Sequence, residues 1–250
     1  MGKLVVIGSG IKSLAHMSKE ASIVMENSER LLYLVNDKIS SDYIVSLQLN
    51  STSLSELYFK YPNRKDAYSA ITAKIISEYE QYSSLCVLLY GHPVFFADFA
   101  LDAVLKIKEQ GGNAIILPAI SSLDSLLADL LINPGKHGVA IHDATELLVH
   151  EHCINVYSYL ILYQVSSLGM NDYNISIHLN VLKNYLLRFY PENQPIFIYS
   201  ASQIPGTAFS LEIVKLKQFE QAPISHLSTV CISPIKYKKI NYSVLNALNL

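Results

Sequence analysis

The segment LCVLLYGHPVFF, residues 85–96, joins a continuous apolar run to a tight turn. A run of this length and composition predicts a strand that is buried on both faces of a sheet. Gly91 and Pro93 would close the strand with a turn that presents His92. Because ligands collect at the carboxyl ends of strands in parallel sheets, this turn is a candidate binding site. An ordinary strand-to-helix turn without a ligand remains the alternative.

Three more apolar runs have the same character, namely KLVVIG (residues 3–8), LLYLV (31–35) and NAIILP (113–118). Segments with a helical period lie between them at Arg64–Tyr82 and Ala97–Gly111, and the second segment ends on a pair of glycines. Strands that alternate with helices form βαβ units. This part of the chain is therefore predicted to be an α/β domain around a largely parallel sheet.

A second series of elements begins after Pro118. Its predicted order is helix Ser122–Leu131, loop 132–138, strand Val139–His142, helix Ala144–His150, strand Val156–Tyr163, helix Ile177–Tyr190, and strands Pro195–Ser200 and Thr229–Ser233. We therefore expect the domain junction at LPAISS. The predicted domains are residues 1–118 and 119–234, with a short C-terminal extension at residues 235–250.

The composition narrows the class of protein. Half of the 250 residues are hydrophobic and 16% are charged, which argues against a disordered chain. The formal net charge of −2 gives no basic surface for nucleic acid. The apolar runs are too short for a membrane span, and a strand follows the first methionine with no room for a signal peptide. Cys86, Cys153 and Cys231 are scattered, so we expect reduced thiols in a cytoplasmic protein.

One motif resembles a metal site and another resembles a dinucleotide-binding loop, but neither fully matches the pattern of its class. In HDATELLVHEH, His142 and His150 are not spaced as ligands on one helix face, and no cysteine completes a zinc set. We expect solvated histidines and no metal. In VVIGSGI, residues 5–11, glycines allow close approach of a ligand to the backbone, but Ser13 occupies the third glycine position of the dinucleotide fingerprint. A tight turn and a nucleotide loop are both compatible with it.

A cluster of tyrosines surrounds a turn in LYFKYPNRKDAY, residues 57–68. Tyr58 and Tyr61 precede the turn, and a helix is predicted to begin at Arg64. Arg64 and Tyr68 lie four residues apart, one turn along the same helix face. A surface turn with packed tyrosine rings explains this pattern, and so does a site that needs a positive charge and several hydrogen-bond donors.

Several motifs together resemble a known family. GSGIKSL, YGHP, LPAISSLDSLLADLLINPG and STVCISP follow one another as in the tetrapyrrole-methylase-like (class III) S-adenosylmethionine methyltransferases, and the similarity runs from Leu4 to Pro234. YFKYPNRKDAY and NVYSYLILYQVSSLGM resemble the branch that makes borosins, which are peptides methylated on backbone amide nitrogens. The resemblance implies two α/β domains with mostly parallel sheets, the active site in the cleft between them, and S-adenosylmethionine as cofactor.

The same resemblance implies which residues bind the cofactor. They lie in the motifs YGHPVF, PAIS, LYQV, IYSA and LST, and they are Tyr90, His92, Phe95, Ser121, Ser122, Gln164, Tyr199, Ala201, Ser228 and Thr229. The chain departs from the family pattern at three places. Ala119 and Val94 stand where the relatives carry glycine, and the link between Tyr61 and Arg64 is shorter than theirs.

Methylation of an amide nitrogen makes specific demands on a site. The nitrogen lone pair is delocalised into the carbonyl, so the amide proton must be removed and negative charge must be stabilised on the oxygen. Arginine is always charged and presents a fork of donors. We therefore expect Arg64 to favour a phenolate at Tyr68, which would be the base, while Tyr58 and Tyr61 hold the carbonyl oxygen.

The resemblance also implies partners. Fused borosin enzymes carry the substrate peptide as their own C-terminal extension, and the relatives act as homodimers. Residues 235–250 are too few to re-enter a cleft, so we expect a stand-alone homodimeric enzyme that acts on a separate precursor peptide. Two alternatives stay open. One is a class III methyltransferase for a tetrapyrrole or another small molecule, and the other is a non-enzymatic subunit that binds the cofactor or a peptide.

Overall fold

The computed structural model describes residues 2–150, 152–170, 174, 178–235 and 240–249. They form two compact units. The first contains residues 2–131 and the segment Ala201–Phe209, and the second contains the described residues of 132–200 and those from Ser210 onward. The division differs from the expected one after Pro118, because the helix that follows this proline groups with the first unit.

The first unit is built around a five-stranded sheet in which every pair of neighbouring strands is parallel. The order across the sheet is β3-β2-β4-β1-β5. In chain order the strands are β1 (Lys3–Gly8), β2 (Arg30–Leu34), β3 (Ser51–Ser53), β4 (Ser84–Leu89) and β5 (Asn113–Ile116). The four predicted strands of this domain are confirmed, and β4 lies at the centre as a fully paired strand.

Six helices lie among the described residues of the first unit. They are α1 (Lys19–Glu26), α2 (Lys38–Ser46), α3 (Ser55–Phe59), α4 (Arg64–Gln81), α5 (Asp98–Glu109) and α6 (Ser122–Asp129). The predictions for α4, α5 and α6 are confirmed to within two residues at each end. The side chain of Asn63 accepts a hydrogen bond from the amide of Lys65 at 2.9 Å, which fixes the start of α4.

The central strands are apolar because helices cover both faces of the sheet. Successive side chains of a strand point to opposite faces. Val6 therefore packs in one cluster with Ile71 of α4 and Phe99 of α5, whereas Ile7 packs in a second cluster with Met25 of α1. All five side chains are buried. This burial explains why the strands read as continuous apolar runs without alternation.

A buried ion pair ties the sheet to the far end of α4. The Arg30 guanidinium on β2 donates from Nε to Oε2 of Glu78 at 2.8 Å, and both side chains are at least nine-tenths buried. Further donations go to the Asn50 side chain at 3.1 Å and to Thr52 Oγ1 at 2.8 Å. Lys74 adds a second positive charge on Glu78. These bonds offset the cost of taking the charges out of water.

The second sheet is mixed, which corrects the expectation of mostly parallel sheets in both domains. Its order is β6-β7-β10-β8-β9, and only β6 and β7 pair in parallel. The strands are β6 (Val139–Asp143), β7 (Tyr159–Tyr163), β8 (Pro195–Ser200), β9 (Ser210–Lys215) and β10 (Thr229–Ile232). The physical reason is the connection between β8 and β9, since antiparallel neighbours need no crossover helix.

The remaining helices are α7 (Pro134–His137), α8 (Ala144–Val149), α9 (Leu179–Leu186) and α10 (Tyr242–Ala247). The short helix α7 stands within a segment that was expected to be a loop. Its start is explained by Asn133, whose side chain accepts from the amide of Gly135 at 2.9 Å, and by proline at the first helical position. Among the described helices, none is both long enough and apolar enough to cross a membrane.

The ion pair between Arg30 and Glu78 gives a test of stability. Glu78→Gln leaves a buried guanidinium without a negative partner, so we expect the free energy of unfolding to fall by about 3 kcal/mol in urea denaturation at neutral pH. Glu80→Gln makes the same change at an exposed position of the same helix and should stay within about 0.5 kcal/mol of the parent. Equal stability of the two variants would contradict this role for the pair.

The pH dependence of that difference has a definite sign. The hydrogen bond from Arg30 is the main cause that lowers the pKa of the Glu78 carboxyl below its ordinary value. A lowered pKa stabilises the folded state above the unfolded pKa of about 4.3 and ceases to do so as the pH falls through the folded value. The gap between parent and Glu78→Gln should therefore narrow in acid.

Candidate active site

The carboxyl ends of β1 and β4 meet through two glycines. The amide of Gly10 donates to the carbonyl of Gly91 at 3.2 Å, and the amide of Gly91 donates to the carbonyl of Gly10 at 3.0 Å. Both residues have a positive φ, of 70° and 73° respectively, which glycine adopts without strain. The two predicted motifs VVIGSGI and YGHPVFF thus form one structure at this edge of the sheet.

The approach of the two turns leaves no room for a side chain at Gly8. A Cβ atom there would lie 2.1 Å from the carbonyl oxygen of Gly91 and 2.6 Å from the Cβ of Ala119. Real Cβ atoms do not approach other atoms so closely. The methyl group of Ala119, where the family usually has glycine, is accommodated because Gly8 has no side chain.

Gly91 faces a different environment. Among the described residues, a Cβ atom at Gly91 would have one neighbour within 4 Å, Ile11 Cδ1 at 3.6 Å, which is an ordinary van der Waals contact. The backbone at Gly91 is therefore less crowded than at Gly8, which suits the close approach of a ligand. The next residues are ordered by His92, whose carbonyl accepts from the amide of Phe95 at 3.0 Å and whose Nδ1 accepts from the amide of Val94 at 3.3 Å.

A hydrogen-bond network surrounds the hydroxyl of Tyr90. Gln203 Nε2 donates to the Tyr90 hydroxyl at 3.1 Å. The carbonyl of Gln203 accepts from both the amide of Ser13, at 2.9 Å, and its hydroxyl, at 3.2 Å. Burial raises the pKa of Tyr90, the negative charge of Asp37 adds to this, and the bond from Gln203 opposes it.

Asp37 is the nearest negative charge to this network. Burial alone would raise the pKa of Asp37, but hydrogen bonds from Ser40, Ser13 and the backbone outweigh it and the pKa is lowered. The carboxylate also caps α2 by accepting from the amide of Ser40 at 2.8 Å. The sequence analysis missed Asp37 and Gln203 as site residues. In the sequence only the helix-capping pattern of Asp37 is visible. Gln203 and Ser13 are 190 residues apart in the chain, so no local pattern predicts their contact.

The predicted serines lie at the start of α6. Ser121 and Asp124 form a capping box in which Ser121 Oγ accepts from the Asp124 amide at 3.2 Å and the Ser121 amide donates to Asp124 Oδ2 at 2.7 Å. The Ser121 hydroxyl also donates to that carboxylate at 2.6 Å. Ser122 is the first residue of the helix, and Ala201 also belongs to the first unit.

Four predicted cofactor residues lie in the second unit, at one end of its sheet. Tyr199 on β8 pairs with Thr229 on β10, and both are buried. Leu162 of β7 pairs with Val230 of β10 in antiparallel register, and Gln164 directly follows β7 while Ser228 directly precedes β10. Gln164 has a positive φ of 57°, and its side-chain oxygen accepts from the Ser167 hydroxyl at 3.1 Å.

The turn between α3 and α4 brings three of the four predicted catalytic residues together. The rings of Tyr58 and Tyr68 lie 6.1 Å apart, and Tyr68 packs edge-on against Phe99 at 5.0 Å. The Tyr68 hydroxyl is hydrogen-bonded to Tyr58 and lies within the electrostatic range of Arg64. Over the described residues, Tyr61 joins neither tyrosine in a ring contact, and its own ring lies 5.7 Å from the Lys60 ammonium.

The electrostatics correct the expectation of a phenolate at Tyr68. Burial raises the pKa of Tyr68 above its ordinary value, and Tyr58 and the Asp98 carboxylate raise it further. The positive charge of Arg64 does lower the pKa of Tyr68, as expected, but the other effects outweigh it. Tyr68 is therefore a neutral phenol at neutral pH. The expectation of a phenolate failed because a sequence does not reveal how deeply a helix position is buried.

The histidine-rich segment forms a separate group in the second unit. The rings of His142 and His152 lie 5.0 Å apart, and His150 Nε2 lies 3.1 Å from Glu146 Oε2. Burial lowers the pKa of His142, and the neighbouring His152 lowers it further. Within the described ranges, no three His, Cys, Asp or Glu side chains are placed to hold a metal ion.

Comparison with known proteins now identifies the family. Residues 3–201 match the model of the family Tetrapyrrole (Corrin/Porphyrin) Methylases. The chain belongs to this family.

Curated relatives match the chain over nearly its whole length. The chain is 29% identical over 99% of its length to a "methyltransferase/ribosomally synthesized cyclic peptide dendrothelin A precursor" of Dendrothele bispora. It is 27% identical over 99% of its length to the corresponding lentinulin A precursor protein of Lentinula edodes. In both cases the chain spans 61% of the length of the relative.

A solved structure shares the fold at lower identity. Uroporphyrin-III C-methyl transferase from Thermus thermophilus, complexed with S-adenosylhomocysteine, aligns with a TM-score of 0.65 and 15% identity. The alignment covers 93% of this chain and 97% of that one. At this identity the likeness concerns the fold, and it extends through both units of the chain.

The contact at Gly8 can be tested directly. We expect Gly8→Ala to lower the free energy of unfolding by about 3 kcal/mol, because the added methyl group overlaps the Gly91 carbonyl. Gly135→Ala adds the same methyl group at an exposed position without a backbone clash and should change stability by less than about 0.5 kcal/mol. Thermal and urea denaturation measure both, and a Gly8→Ala variant as stable as its control would show that the two turns can separate.

Proposed function

We propose that this chain transfers methyl groups from S-adenosylmethionine to backbone amide nitrogens of a ribosomally made precursor peptide. The observation that carries the proposal is the cluster of Tyr58, Arg64 and Tyr68, which combines a permanent positive charge with two hydrogen-bonded phenols. The names of the curated relatives, which join a methyltransferase to a peptide precursor, support the same acceptor.

The glycine turn fits the cofactor. A Cβ atom at Gly91 would have no contact closer than 3.6 Å to the described residues, and Tyr90 stands next to it in the same turn. We propose that the backbone of Gly91 and the side chains of Tyr90, His92 and Phe95 hold S-adenosylmethionine, together with the other residues named from the family resemblance. When bound, the cofactor supplies an electrophilic methyl group on a positively charged sulfur.

In this proposal the minor ionised form of Tyr68, its phenolate, takes the amide proton and becomes the neutral phenol. A raised pKa means that only a small fraction of Tyr68 is ionised at neutral pH, but that fraction is a strong base. Arg64 lowers the pKa of Tyr68 and so enlarges the reactive fraction. The same guanidinium and the Tyr58 hydroxyl are suited to donate to the carbonyl oxygen, where negative charge develops as the proton leaves.

A tetrapyrrole acceptor is the second candidate. The solved structure that shares the fold acts, by its name, on uroporphyrin III. A tetrapyrrole carbon needs no amide base, so the tyrosine cluster would then serve only packing or binding. Methylation of uroporphyrinogen III by the purified protein, without any reaction on peptide, would favour this candidate.

We also propose that the precursor peptide is a separate molecule and that the enzyme is a homodimer. The described residues near the C-terminus argue against self-methylation in this conformation. In α10 the amide of Leu245 donates to the carbonyl of Asn241 and that of Leu248 donates to the carbonyl of Val244, both at 3.0 Å. Amides in such bonds are not open acceptors for a methyl group. The homodimer rests on the family resemblance alone.

Self-methylation has a simple test. After incubation with S-adenosylmethionine alone, the intact mass of the chain should not change. Coexpression with each short open reading frame beside the gene should instead add methyl mass to one encoded peptide. Successive methyl additions to this chain itself would show that the acceptor is not a separate molecule.

Tyr68→Phe tests the base, because it keeps the ring that packs on Phe99 and removes only the hydroxyl. We expect the single-turnover rate on the coexpressed peptide to fall by about a hundredfold or more. Tyr79→Phe is the matched control on the same helix, since its hydroxyl accepts from the amide of Asn113 at 3.0 Å away from the cluster. Its rate should stay within about twofold of the parent.

Arg64→Lys keeps the charge and loses the fork of donors, so it should also slow the reaction by about a hundredfold. The double variant should be little slower than the slower single variant, because the two residues act as one unit. Near-parental turnover in Tyr68→Phe would remove this residue from the mechanism.

The rate should depend on pH with a predictable sign. Because the active form of Tyr68 is deprotonated and burial raises its pKa, kcat/KM should rise about tenfold per pH unit from about pH 7 to about pH 11, whereas with an unperturbed phenol the rise would level off near its pKa of about 10. The residual rate of Tyr68→Phe should not follow this slope. A level profile in the parent enzyme over the same range would contradict a tyrosine base.

A further inference from the structure

Gln203 connects three parts of the first unit at the edge of its sheet. It lies in the segment Ala201–Phe209, which follows β8 in the chain and groups with the first unit. Its carbonyl binds Ser13 after β1, through the amide at 2.9 Å and the hydroxyl at 3.2 Å. Its side-chain amide donates to the hydroxyl of Tyr90 after β4, at 3.1 Å.

The direction of the bond to Tyr90 decides what that hydroxyl can do. The amide nitrogen of Gln203 is a donor only, so the phenol oxygen accepts and its own proton remains available. The nearby carboxylate of Asp37 already accepts a hydrogen bond from the amide of Ser40 at 2.8 Å. A ligand atom that accepts a hydrogen bond is therefore a suitable partner for the Tyr90 proton.

We propose that Gln203 is a positioning residue of the cofactor site, which holds the Tyr90 hydroxyl as a hydrogen-bond donor to S-adenosylmethionine or its product. This inference rests on the proposed function, since it takes Tyr90 to touch the cofactor. It assigns a role to a residue that neither the glycine motifs nor the tyrosine cluster contains. The segment Ala201–Phe209 thereby contributes to binding through Tyr90.

Titration calorimetry with S-adenosylhomocysteine tests the proposal. Gln203→Met keeps the length of the side chain and removes the donor, so Kd should rise about five- to tenfold, as expected for the loss of one hydrogen bond. Tyr90→Phe should weaken binding at least as much. In the Tyr90→Phe background, Gln203→Met should have no further effect, because Gln203 acts through the hydroxyl that is already missing.

Gln203→Glu tests whether Gln203 orients the Tyr90 hydroxyl or only attaches the segment Ala201–Phe209 to Tyr90. The carboxylate has the same shape and can accept from Tyr90, which restores a bond between the two side chains but turns the phenol proton away from the ligand. Positioning predicts that Gln203→Glu binds no better than Gln203→Met. Recovery of parental affinity in Gln203→Glu would mean that the bond only tethers the segment, and would overturn the proposal.

The neighbouring Thr207 supplies a control in the same segment. Its hydroxyl bonds to the carbonyl of Ile204 at 2.9 Å and to Ser202, without reaching Tyr90. Thr207→Val should lower the melting temperature slightly and leave Kd within about twofold of the parent. If Thr207→Val weakens binding as much as Gln203→Met, the order of the segment matters and Gln203 has no special role.

The outcomes also distinguish this inference from the proposed function. A parent protein that binds no S-adenosylhomocysteine would overturn both together. If the parent protein binds S-adenosylhomocysteine, two results would overturn the positioning role alone. One is a Gln203→Met variant with parental affinity. The other is a Gln203→Met change that raises Kd as much in the Tyr90→Phe background as in the parent. If Gln203→Met fails to fold, the comparison of Gln203→Glu with the parent decides the question by the same criterion.

Discussion

The close approach of Gly8 to Gly91 is the constraint on which the rest of the site depends. The carbonyl oxygen of Gly91 occupies the place where a Cβ of residue 8 would stand. The turn after β1 can therefore pack against the turn after β4 only if residue 8 is glycine. The double hydrogen bond between Gly10 and Gly91 then locks the two turns together. Because this bridge exists, Tyr90 and Ser13 come within reach of Gln203.

Helix α4 links the stability of the fold to its chemistry. Near its last turn, Glu78 is held by Arg30 of the sheet, and in its middle the hydroxyl of Thr72 donates to the carbonyl of Phe99 at 3.0 Å. Its first residues are Arg64 and, one turn later, Tyr68. The helix is thus fixed at two points, and the residues proposed to act in catalysis lie at the end where it meets the tyrosine-rich turn.

Some of this could be read from the sequence and some could not. The strands β1 and β4 were predictable, because helices on both faces make them continuously apolar. Helix α4 was predictable from its cap at Asn63. Helices α1 and α2 were missed although each is at least as long as the predicted helix α6. The antiparallel pairing of the second sheet was missed because β9 has an exposed, mixed pattern.

The site shows the same limit. The residues of the YGHP turn follow one another in the chain, so their proximity was evident from the sequence. The bond between Gln203 and Tyr90 joins residues far apart in sequence, which no local pattern marks. The pKa of Tyr68 depends on burial against Phe99 and on Tyr58, and both are consequences of packing. Sequence patterns assign residues to helices and strands. The pKa of a side chain depends also on the groups packed around it, which only the structure shows.

Hydrogen–deuterium exchange measured by mass spectrometry, with and without saturating S-adenosylhomocysteine, tests the central claim most directly. The claim is that the bridged glycine turns at the end of the first sheet hold the cofactor. We expect exchange to slow in peptides that cover residues 8–13 and 89–96, and to stay unchanged around the Arg30 and Glu78 ion pair. Binding that leaves both turns exchanging at the rate of the free protein would contradict the account.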